Sequence, residues 1–433
     1  MASVTVGYLG IFILILLLFS RMHIGVCMGL VGFAGFAYLL GLEPALGLLR
    51  NVPYTTFSSQ GLSAIPLFML MGAFCFSAGI SEDLYKGVHA WLGHLRGGLA
   101  MATVVACALF AAISGSSLAT VATLGKVALP EMKRYKYASS LATGAIAAGG
   151  SIGILIPPSI ILIVYGILTE QSIGQLFLAG FIPGILEAVF YLITIWLLCK
   201  RNPELGPRGP RTKMKQKIRA LGSIWEVVAL FLLVIGGIYL GWFTPTEAAG
   251  VGAFGAFILA VSKKKLDWAN FKKSLVNTTQ TAGMLFAIIL GAMIFGYFLS
   301  VTRLPFELSM SIADLEVNRY VVLILILIIV LALGCVMDSM AIVLLTVPVF
   351  YPLITGLGFN AIWFGILVVR VTEMGLITPP VGLNVYIIRG IDNVPMKTIF
   401  KGVYPFLVAD LVEVAFLIAF PQLTLFLPEL IGL

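Results

Sequence analysis

The chain has 433 residues, of which 60% are hydrophobic and only 11% are charged. A soluble domain carries about 25% charged residues, so this composition excludes a soluble enzyme or binding module. It predicts an all-α polytopic membrane protein embedded in a lipid bilayer.

The formal net charge of +8 is unevenly distributed. Eight Lys or Arg residues lie between Lys200 and Arg219, and a second cluster covers Lys263–Lys265 and Lys272–Lys273. Lysine and arginine accumulate in the cytoplasmic loops of membrane proteins. The two clusters therefore predict cytoplasmic loops, and we expect no nucleic-acid partner.

The first half of the chain contains five candidate spans, at about 4–20, 24–41, 60–80, 138–168 and 175–199. Between the third and the fourth lies an apolar stretch, Leu99–Pro130, which is interrupted by Ser114-Gly115-Ser116-Ser117. Each arm has about 15 residues, which is too short to cross a bilayer comfortably. We therefore predict a re-entrant helical hairpin with a polar tip, at about 99–130.

The second half repeats this arrangement. Its candidate spans lie at about 224–243, 247–261, 279–300, 360–389 and 403–427. A second interrupted stretch, Tyr320–Ile354, is broken at Met337-Asp338-Ser339. It predicts a second re-entrant hairpin, at about 320–354.

Two spans carry a proline pair in their middle. Gly150–Gly166 reads GSIGILIPPSIILIVYG, and Met374–Gly390 reads MGLITPPVGLNVYIIRG. Proline lacks an N–H group and clashes with the carbonyl four residues back, so a helix cannot run through either pair undisturbed. The carbonyls that are freed inside a membrane need protein or an ion as a partner. We predict broken helices at 138–168 and 360–389.

The two halves match at a constant spacing. Pro157-Pro158, Pro183, Pro130 and Ser116 are each followed 222 positions later by a counterpart: Pro379-Pro380, Pro405, Pro352 and Asp338. Interrupted segments at matching positions are typical of transporters with internal repeats. Counting spans outward from the basic loops puts both termini outside. The sequence thus predicts two inverted repeats, 1–199 and 220–433, joined by a cytoplasmic loop at 200–219.

In such a fold the two hairpin tips and the two broken helices converge. Their oxygen donors are Ser114, Ser116 and Ser117 with the carbonyls of Gly153–Pro158, and Asp338 and Ser339 with Gly375 and Thr378. Hydroxyl, carbonyl and carboxylate oxygens suit a hard cation, and unwound carbonyls are expected ligands of Na⁺. Two alternatives stay open: the serines and glycines mediate helix packing, and Asp338 lies at the membrane interface.

Arg370 and Glu373 lie just before the second proline pair and are three residues apart. They either neutralise each other, or Arg370 contacts an anionic substrate, since a guanidinium suits carboxylate or sulfonate groups. Thr378, Asn384 and Ser117 are further substrate candidates. A serine hydrolase at the first tip would need a base within reach, and the sequence offers none, so we predict no enzyme activity.

The two proline stretches resemble the signature stretches of the large membrane subunit of tripartite ATP-independent periplasmic (TRAP) transporters, in the ion transporter superfamily. The resemblance covers essentially the whole chain, including the SGSS hairpin and the basic central loop. It implies a Na⁺-coupled, elevator-type importer of a small organic acid anion in the bacterial inner membrane. Its implied partners are a periplasmic substrate-binding protein and a small four-helix membrane subunit. We expect that subunit to be a separate chain, because this one starts directly at its first repeat.

The resemblance also implies two sodium sites. The first comprises Ser114, Ser116, Gly153, Ile156 and Pro158, and the second comprises Asp338, Ser339, Gly375 and Thr378. The sequence contains no nucleotide-binding P-loop, so we expect no direct use of ATP. A stand-alone Na⁺/organic anion symporter of the same superfamily and a channel are the alternatives.

Overall fold

A computed structural model describes residues 3–20, 22–209, 211–222, 224–314 and 317–431, and these residues form helices and connecting turns only. The helices up to the basic loop are α1 (Ser3–Phe19), α2 (Ile24–Leu40), α3 (Leu42–Phe57), α4 (Ala64–Ser77), α5 (Ile80–Leu92), α6 (Gly98–Ser114), α7 (Ser117–Arg134), α8 (Ser139–Ser151), α9 (Ile160–Thr169) and α10 (Ile173–Arg201).

The helices after that point are α11 (Met214–Leu221), α12 (Trp225–Phe231), α13 (Gly237–Tyr239), α14 (Pro245–Ser262), α15 (Trp268–Thr302), α16 (Leu304–Asp314), α17 (Arg319–Gly334), α18 (Ser339–Gly356), α19 (Ala361–Gly375), α20 (Leu383–Ile391), α21 (Met396–Ala419) and α22 (Gln422–Ile431). A π-helical segment, Leu232–Gly236, joins α12 to α13.

The architecture is that of an all-helical membrane protein with several apolar spans. Within the described residues, seven helical stretches are long and apolar enough to cross a bilayer: Gln60–Ser77, Ile173–Arg201, Met214–Tyr239, Pro245–Ser262, Trp268–Thr302, Ser339–Gly356 and Met396–Ala419. Large apolar side chains such as Phe12, Phe19 and Leu232 are exposed on outer helix faces, as lipid contact requires.

Both interrupted stretches break at their polar residues. Helix α6 ends at Ser114 and is followed by Gly115, which adopts the left-handed conformation with φ +58°. Helix α7 then begins at Ser117, and the Ser116 hydroxyl accepts the Ala119 N–H at 3.4 Å. In the second stretch the Asp338 carboxylate caps α18, because its Oδ1 accepts the N–H groups of Met340 and Ala341 at 3.1 and 3.2 Å. These breaks lie where the sequence placed the hairpin tips, while re-entry into a bilayer stays a prediction.

The proline pairs interrupt their helices as well. Helix α8 passes into a short 3₁₀ turn, Ile152–Ile154, and α9 starts after Ser159, whose hydroxyl accepts the Leu162 N–H at 3.3 Å. In the second half α19 ends at Gly375, and α20 begins at Leu383. Both Pro–Pro peptide bonds are cis.

Several helices were not anticipated by the sequence analysis. Each of them is too polar or too short to be identified by hydropathy alone. They are α3, α5, α11 and α16. Part of the basic stretch is helical, since α10 extends to Arg201 and α11 begins at Met214. The single span expected at 403–427 is instead two helices, α21 and α22, which are separated at Phe420.

Helices α2 and α15 pack closely because α2 presents glycines to α15. A Cβ atom at Gly32 would lie 2.8 Å from the Cα and N atoms of Phe295. A Cβ atom at Gly29, on the same helix, would meet nothing closer than the Gly291 Cα at 3.8 Å. Small residues of this kind let membrane helices approach each other.

We expect Gly32→Ala to destabilise the protein, because its new methyl group would meet backbone rather than a flexible side chain. Overpacking of this kind costs about 1–3 kcal/mol. Gly29→Ala is the matched control and should leave stability near that of the wild type. Thermal unfolding in detergent measures both, and equal midpoints for the two variants would contradict this account of the α2–α15 contact.

Candidate functional site

The first hairpin tip lies against the first proline break. A Cβ atom at Gly115 would be 3.0 Å from the carbonyl oxygen of Pro158, so the tip touches the broken segment directly. A Cβ atom at Gly153 would be 2.8 Å from the Cβ of Ala111 on α6. The structure therefore brings the tip and the break of the first predicted sodium site together.

Hydroxyl groups cluster at this tip. The Ser114 Oγ and Thr120 Oγ1 atoms are 3.0 Å apart, and Thr120 also donates to the Ser116 carbonyl oxygen at 2.8 Å. Thr120 is a polar neighbour that the sequence analysis missed, although it lies one helical turn after Ser116. Ile156, also in the predicted set, is buried in the break beside Gly184 of α10.

The second tip lies against the second break in a similar way. A Cβ atom at Gly334, the last residue of α17, would be 2.9 Å from the Gly375 Cα. The Gly382 N–H donates to the Cys335 carbonyl at 3.4 Å, and the Thr378 hydroxyl donates to the Met374 carbonyl at 2.7 Å.

A buried carboxylate adds to this second group. The Ser339 hydroxyl donates to Glu373 Oε1 at 2.5 Å, and both side chains are buried. Among the described residues, the other oxygen of Glu373 is buried without a hydrogen-bond partner. Asp338 lies at the same tip, and both of its capping bonds use Oδ1, so capping does not consume its Oδ2.

One contact joins the first tip to the second break. The Asn384 amide donates to the Ser117 Oγ at 3.0 Å and to the Ala147 carbonyl at 3.2 Å. Asn384 and Ser117 are both buried. Two of the substrate candidates thus come from opposite halves of the chain and are direct neighbours.

Arg370 lies in a separate, fully buried charge cluster. Its Nε donates to Glu413 Oε2 at 2.8 Å, its Nη2 donates to Asp410 Oδ1 at 2.6 Å, and its Nη1 lies 3.3 Å from Glu187 Oε1. The self-neutralising Arg370–Glu373 pair is therefore wrong, because Glu373 bonds to Ser339 instead. Three carboxylates surround the guanidinium in this conformation, and a substrate role for Arg370 stays a prediction.

The acidic partners of Arg370 were missed by the sequence analysis. Glu187 belongs to α10 and accepts a hydrogen bond from Ser151 at 2.9 Å, and Asp410 and Glu413 belong to α21. Asp410 and Glu413 are three residues apart and share a helix face. An ionisable residue inside an apolar helix marks a special site by default, and this signal was available in the sequence.

A family model and several curated relatives assign the chain to the same protein family. Residues 11–423 match the model of the family described as "Tripartite ATP-independent periplasmic transporter, DctM component". The chain is 36% identical over 406 residues to a C4-dicarboxylate TRAP transporter large permease protein of Pseudomonas aeruginosa. This alignment covers 91% of this chain and 94% of the relative. It is 34% identical over 370 residues to a sialic acid TRAP large permease of Vibrio cholerae, covering 85% and 86%.

A third relative is an isethionate TRAP transporter permease protein of Oleidesulfovibrio alaskensis, 32% identical over 397 residues and covering 90% of this chain and 61% of that one. Among solved structures, the YdaH transporter of Alcanivorax borkumensis matches with a TM-score of 0.62 at 14% identity, covering 88% and 90%. MtrF of Neisseria gonorrhoeae matches with a TM-score of 0.61 at 13% identity, covering 87% and 85%. These two likenesses concern the fold alone.

We expect Arg370→Ala to be strongly destabilising, because it would leave three buried carboxylates without their cation. Removal of one partner from a buried ion pair costs roughly 3–5 kcal/mol. The matched control is Arg389→Ala, which removes the same charge from an exposed position on α20 and should change stability little.

Thermal unfolding in detergent compares these two variants. A triple variant, Arg370→Met with Asp410→Asn and Glu413→Gln, should recover part of the loss, because it removes carboxylates together with the guanidinium. If Arg370→Ala unfolded at the same temperature as Arg389→Ala, the cluster would not stabilise the fold.

Proposed function

Because the chain belongs to the DctM family of TRAP transporter large permeases, we propose that it moves a small organic anion across the bacterial inner membrane with Na⁺ as the coupling ion. Family membership makes it a multi-pass transporter permease and not an enzyme. The observation that carries the proposal is the contact of each polar hairpin tip with a proline-broken segment, Gly115 with Pro158 and Gly334 with Gly375.

The proposed substrate is a carboxylate or a sulfonate. The relatives are named for C4-dicarboxylates, sialic acid and isethionate, and these compounds share a small size and a carboxylate or sulfonate group. In this chain the neighbouring amide and hydroxyl of Asn384 and Ser117 supply uncharged donors close to both breaks. Thr378 at the second break completes the proposed substrate contacts.

The proposed sodium sites use the two tip-and-break pairs. Hydroxyl and carbonyl oxygens of Ser114, Ser116, Gly153, Ile156 and Pro158 form the first site, and Asp338, Ser339, Gly375 and Thr378 form the second. Sodium binds oxygen ligands of this kind where helices are unwound. To the second site we add Glu373, whose carboxylate already reaches Ser339.

The proposed mechanism treats the halves as inverted repeats whose hairpins and broken helices move together, as in an elevator. The likeness in fold to two transporters supports a transport architecture.

The basic segments around Lys200–Arg219 and Lys263–Lys273 are placed in the cytoplasm by the positive-inside rule, which puts both termini in the periplasm. The family description is of a tripartite system, which supports further components; the partners that we propose are a periplasmic binding protein and a small four-helix membrane subunit.

We expect Na⁺ to raise the thermal stability of the purified protein when NaCl replaces choline chloride at equal ionic strength. A ligand that binds only the folded state contributes about 2.7 kcal/mol at 100 times its dissociation constant. Asp338→Asn should reduce this rise, because asparagine keeps the N-cap of α18 but removes the negative charge.

The matched control for this experiment is Asp267→Asn. Asp267 also caps a helix, accepting the Asn270 N–H at 2.7 Å at the start of α15, but it lies outside the proposed sites. This control should respond to Na⁺ like the wild type. A wild-type response in Asp338→Asn would exclude Asp338 as a ligand, and a folded wild type that ignores Na⁺ would argue against preformed sites.

We further expect proteoliposomes that contain the chain with its small subunit to accumulate a C4-dicarboxylate, sialic acid or isethionate when its binding protein and an inward Na⁺ gradient are supplied. Asn384→Ala should lower uptake at least tenfold, because a buried hydrogen bond to an anion is worth about 1.5–3 kcal/mol. Asn277→Ala, at an exposed position of α15, is the control. Uptake that is unchanged in choline would refute sodium coupling while leaving transport itself established.

A further inference from the structure

A basic cavity lies at the end of α10, away from the tips and breaks. Its volume is about 570 Å³. The polar side chains that line it are all potentially cationic and are accompanied by one tryptophan: His94, Arg96, Trp196, Lys200, Arg208 and Arg211. No Asp or Glu residue lines this cavity within the described part of the chain.

The cavity is held together by backbone hydrogen bonds. The Gly97 N–H donates to the Gly206 carbonyl at 2.9 Å, and the Gly209 N–H donates to the Gly93 carbonyl at 3.0 Å. These bonds fasten the segment after α10 to the turn between α5 and α6. Basic side chains that are about a hundred positions apart in the sequence therefore lie next to each other on two segments that are joined by backbone hydrogen bonds.

The basic side chains of the cavity lack anionic partners. In residues 3–20, 22–209, 211–222, 224–314 and 317–431, no carboxylate lies within 4.0 Å of the charged groups of Arg96, Lys200, Arg208 or Arg211. Lys263, in the other basic cluster, behaves differently, since it lies 2.8 Å from Asp83 and 2.6 Å from Glu226. Like charges that are gathered without a counter-ion repel each other, so a bound anion would relieve this repulsion.

Exposed apolar side chains adjoin the cavity on α10. Trp196 and Leu197 are 50% and 52% exposed near the end of α10, and the Lys200 ammonium lies 4.8 Å from the centre of the Trp196 ring. Tryptophan concentrates at the boundary between the lipid headgroups and the hydrocarbon core. We therefore expect the basic groups to lie at the depth of the lipid phosphates.

We propose that this cavity binds an anionic phospholipid, with the phosphate among Arg96, Lys200, Arg208 and Arg211 and an acyl chain beside Trp196. Basic pockets between membrane helices on the cytoplasmic side bind headgroups of this class. The bound lipid would bridge α10 to the turn between α5 and α6. This inference does not depend on the coupling ion or on the transported substrate.

The test is a titration of the detergent-purified protein with phosphatidylglycerol, phosphatidylcholine or inorganic phosphate, read out as the shift in unfolding temperature. Phosphatidylglycerol should raise the unfolding temperature of the wild type, and phosphatidylcholine should not. In Arg96→Gln with Arg208→Gln, the apparent affinity for phosphatidylglycerol should fall about thirtyfold, since each basic side chain at a membrane surface contributes roughly fivefold.

Two controls decide between specific binding and general charge attraction. Lys272→Gln with Lys273→Gln removes the same charge from the other basic cluster and should keep the wild-type response. Arg96→Lys with Arg208→Lys keeps the charge and should retain most of the wild-type response to phosphatidylglycerol. Because the substituted side chains are exposed, all of these variants should fold.

Three results would overturn the proposal. The first is an unchanged lipid response in the Arg96→Gln, Arg208→Gln variant. The second is an equal loss in the Lys272→Gln, Lys273→Gln control, which would show attraction to net charge alone. The third is a saturating response to inorganic phosphate that blocks the response to lipid, which would assign the cavity to a soluble anion.

Discussion

The buried guanidinium of Arg370 connects α19 to two other helices around the second break. It binds carboxylates from two other helices, Glu187 on α10 and Asp410 and Glu413 on α21. Desolvation of these ions costs several kcal/mol each, so they are tolerated only while they stay together. Because Glu187 comes from the first half of the chain and the other three from the second, the cluster also ties the two halves to each other.

This cluster affects which residues the next turn of α19 can contact. Since the partners of Arg370 lie on α10 and α21, Glu373 is free to face the second hairpin tip, where it accepts the Ser339 hydroxyl. One helix thus carries a stabilising ion cluster and, three residues later, a carboxylate at the candidate site. The break that follows at Gly375 begins from a helix end whose position is already fixed.

The sequence predicted the features that depend on local chemistry. Proline pairs interrupt helices, and Ser116 and Asp338 cap the helices that follow the polar interruptions, so the helices break at the predicted positions. The acidic residues around Arg370 were recognisable as charges inside apolar segments, but their pairing with Arg370 was not predictable, because nothing local connects residue 187 to residues 370 and 410. Helix α5 was missed for another reason: Glu82, Asp83 and Lys86 lower its hydropathy although its other face is buried.

The two tip-and-break pairs match in position but not in charge. Ser116 and Asp338 are 222 positions apart and both cap a helix, and Ser151 and Glu373 are separated by the same spacing. The first pair therefore offers neutral oxygens, while the second adds the buried carboxyl group of Glu373 and the half-buried one of Asp338. Under the proposed sodium coupling, the second pair can supply negative charge to a bound cation, whereas a cation at the first would add uncompensated positive charge. An anionic substrate placed near the first pair would balance that charge, which gives a physical reason for sodium and an organic anion to bind together.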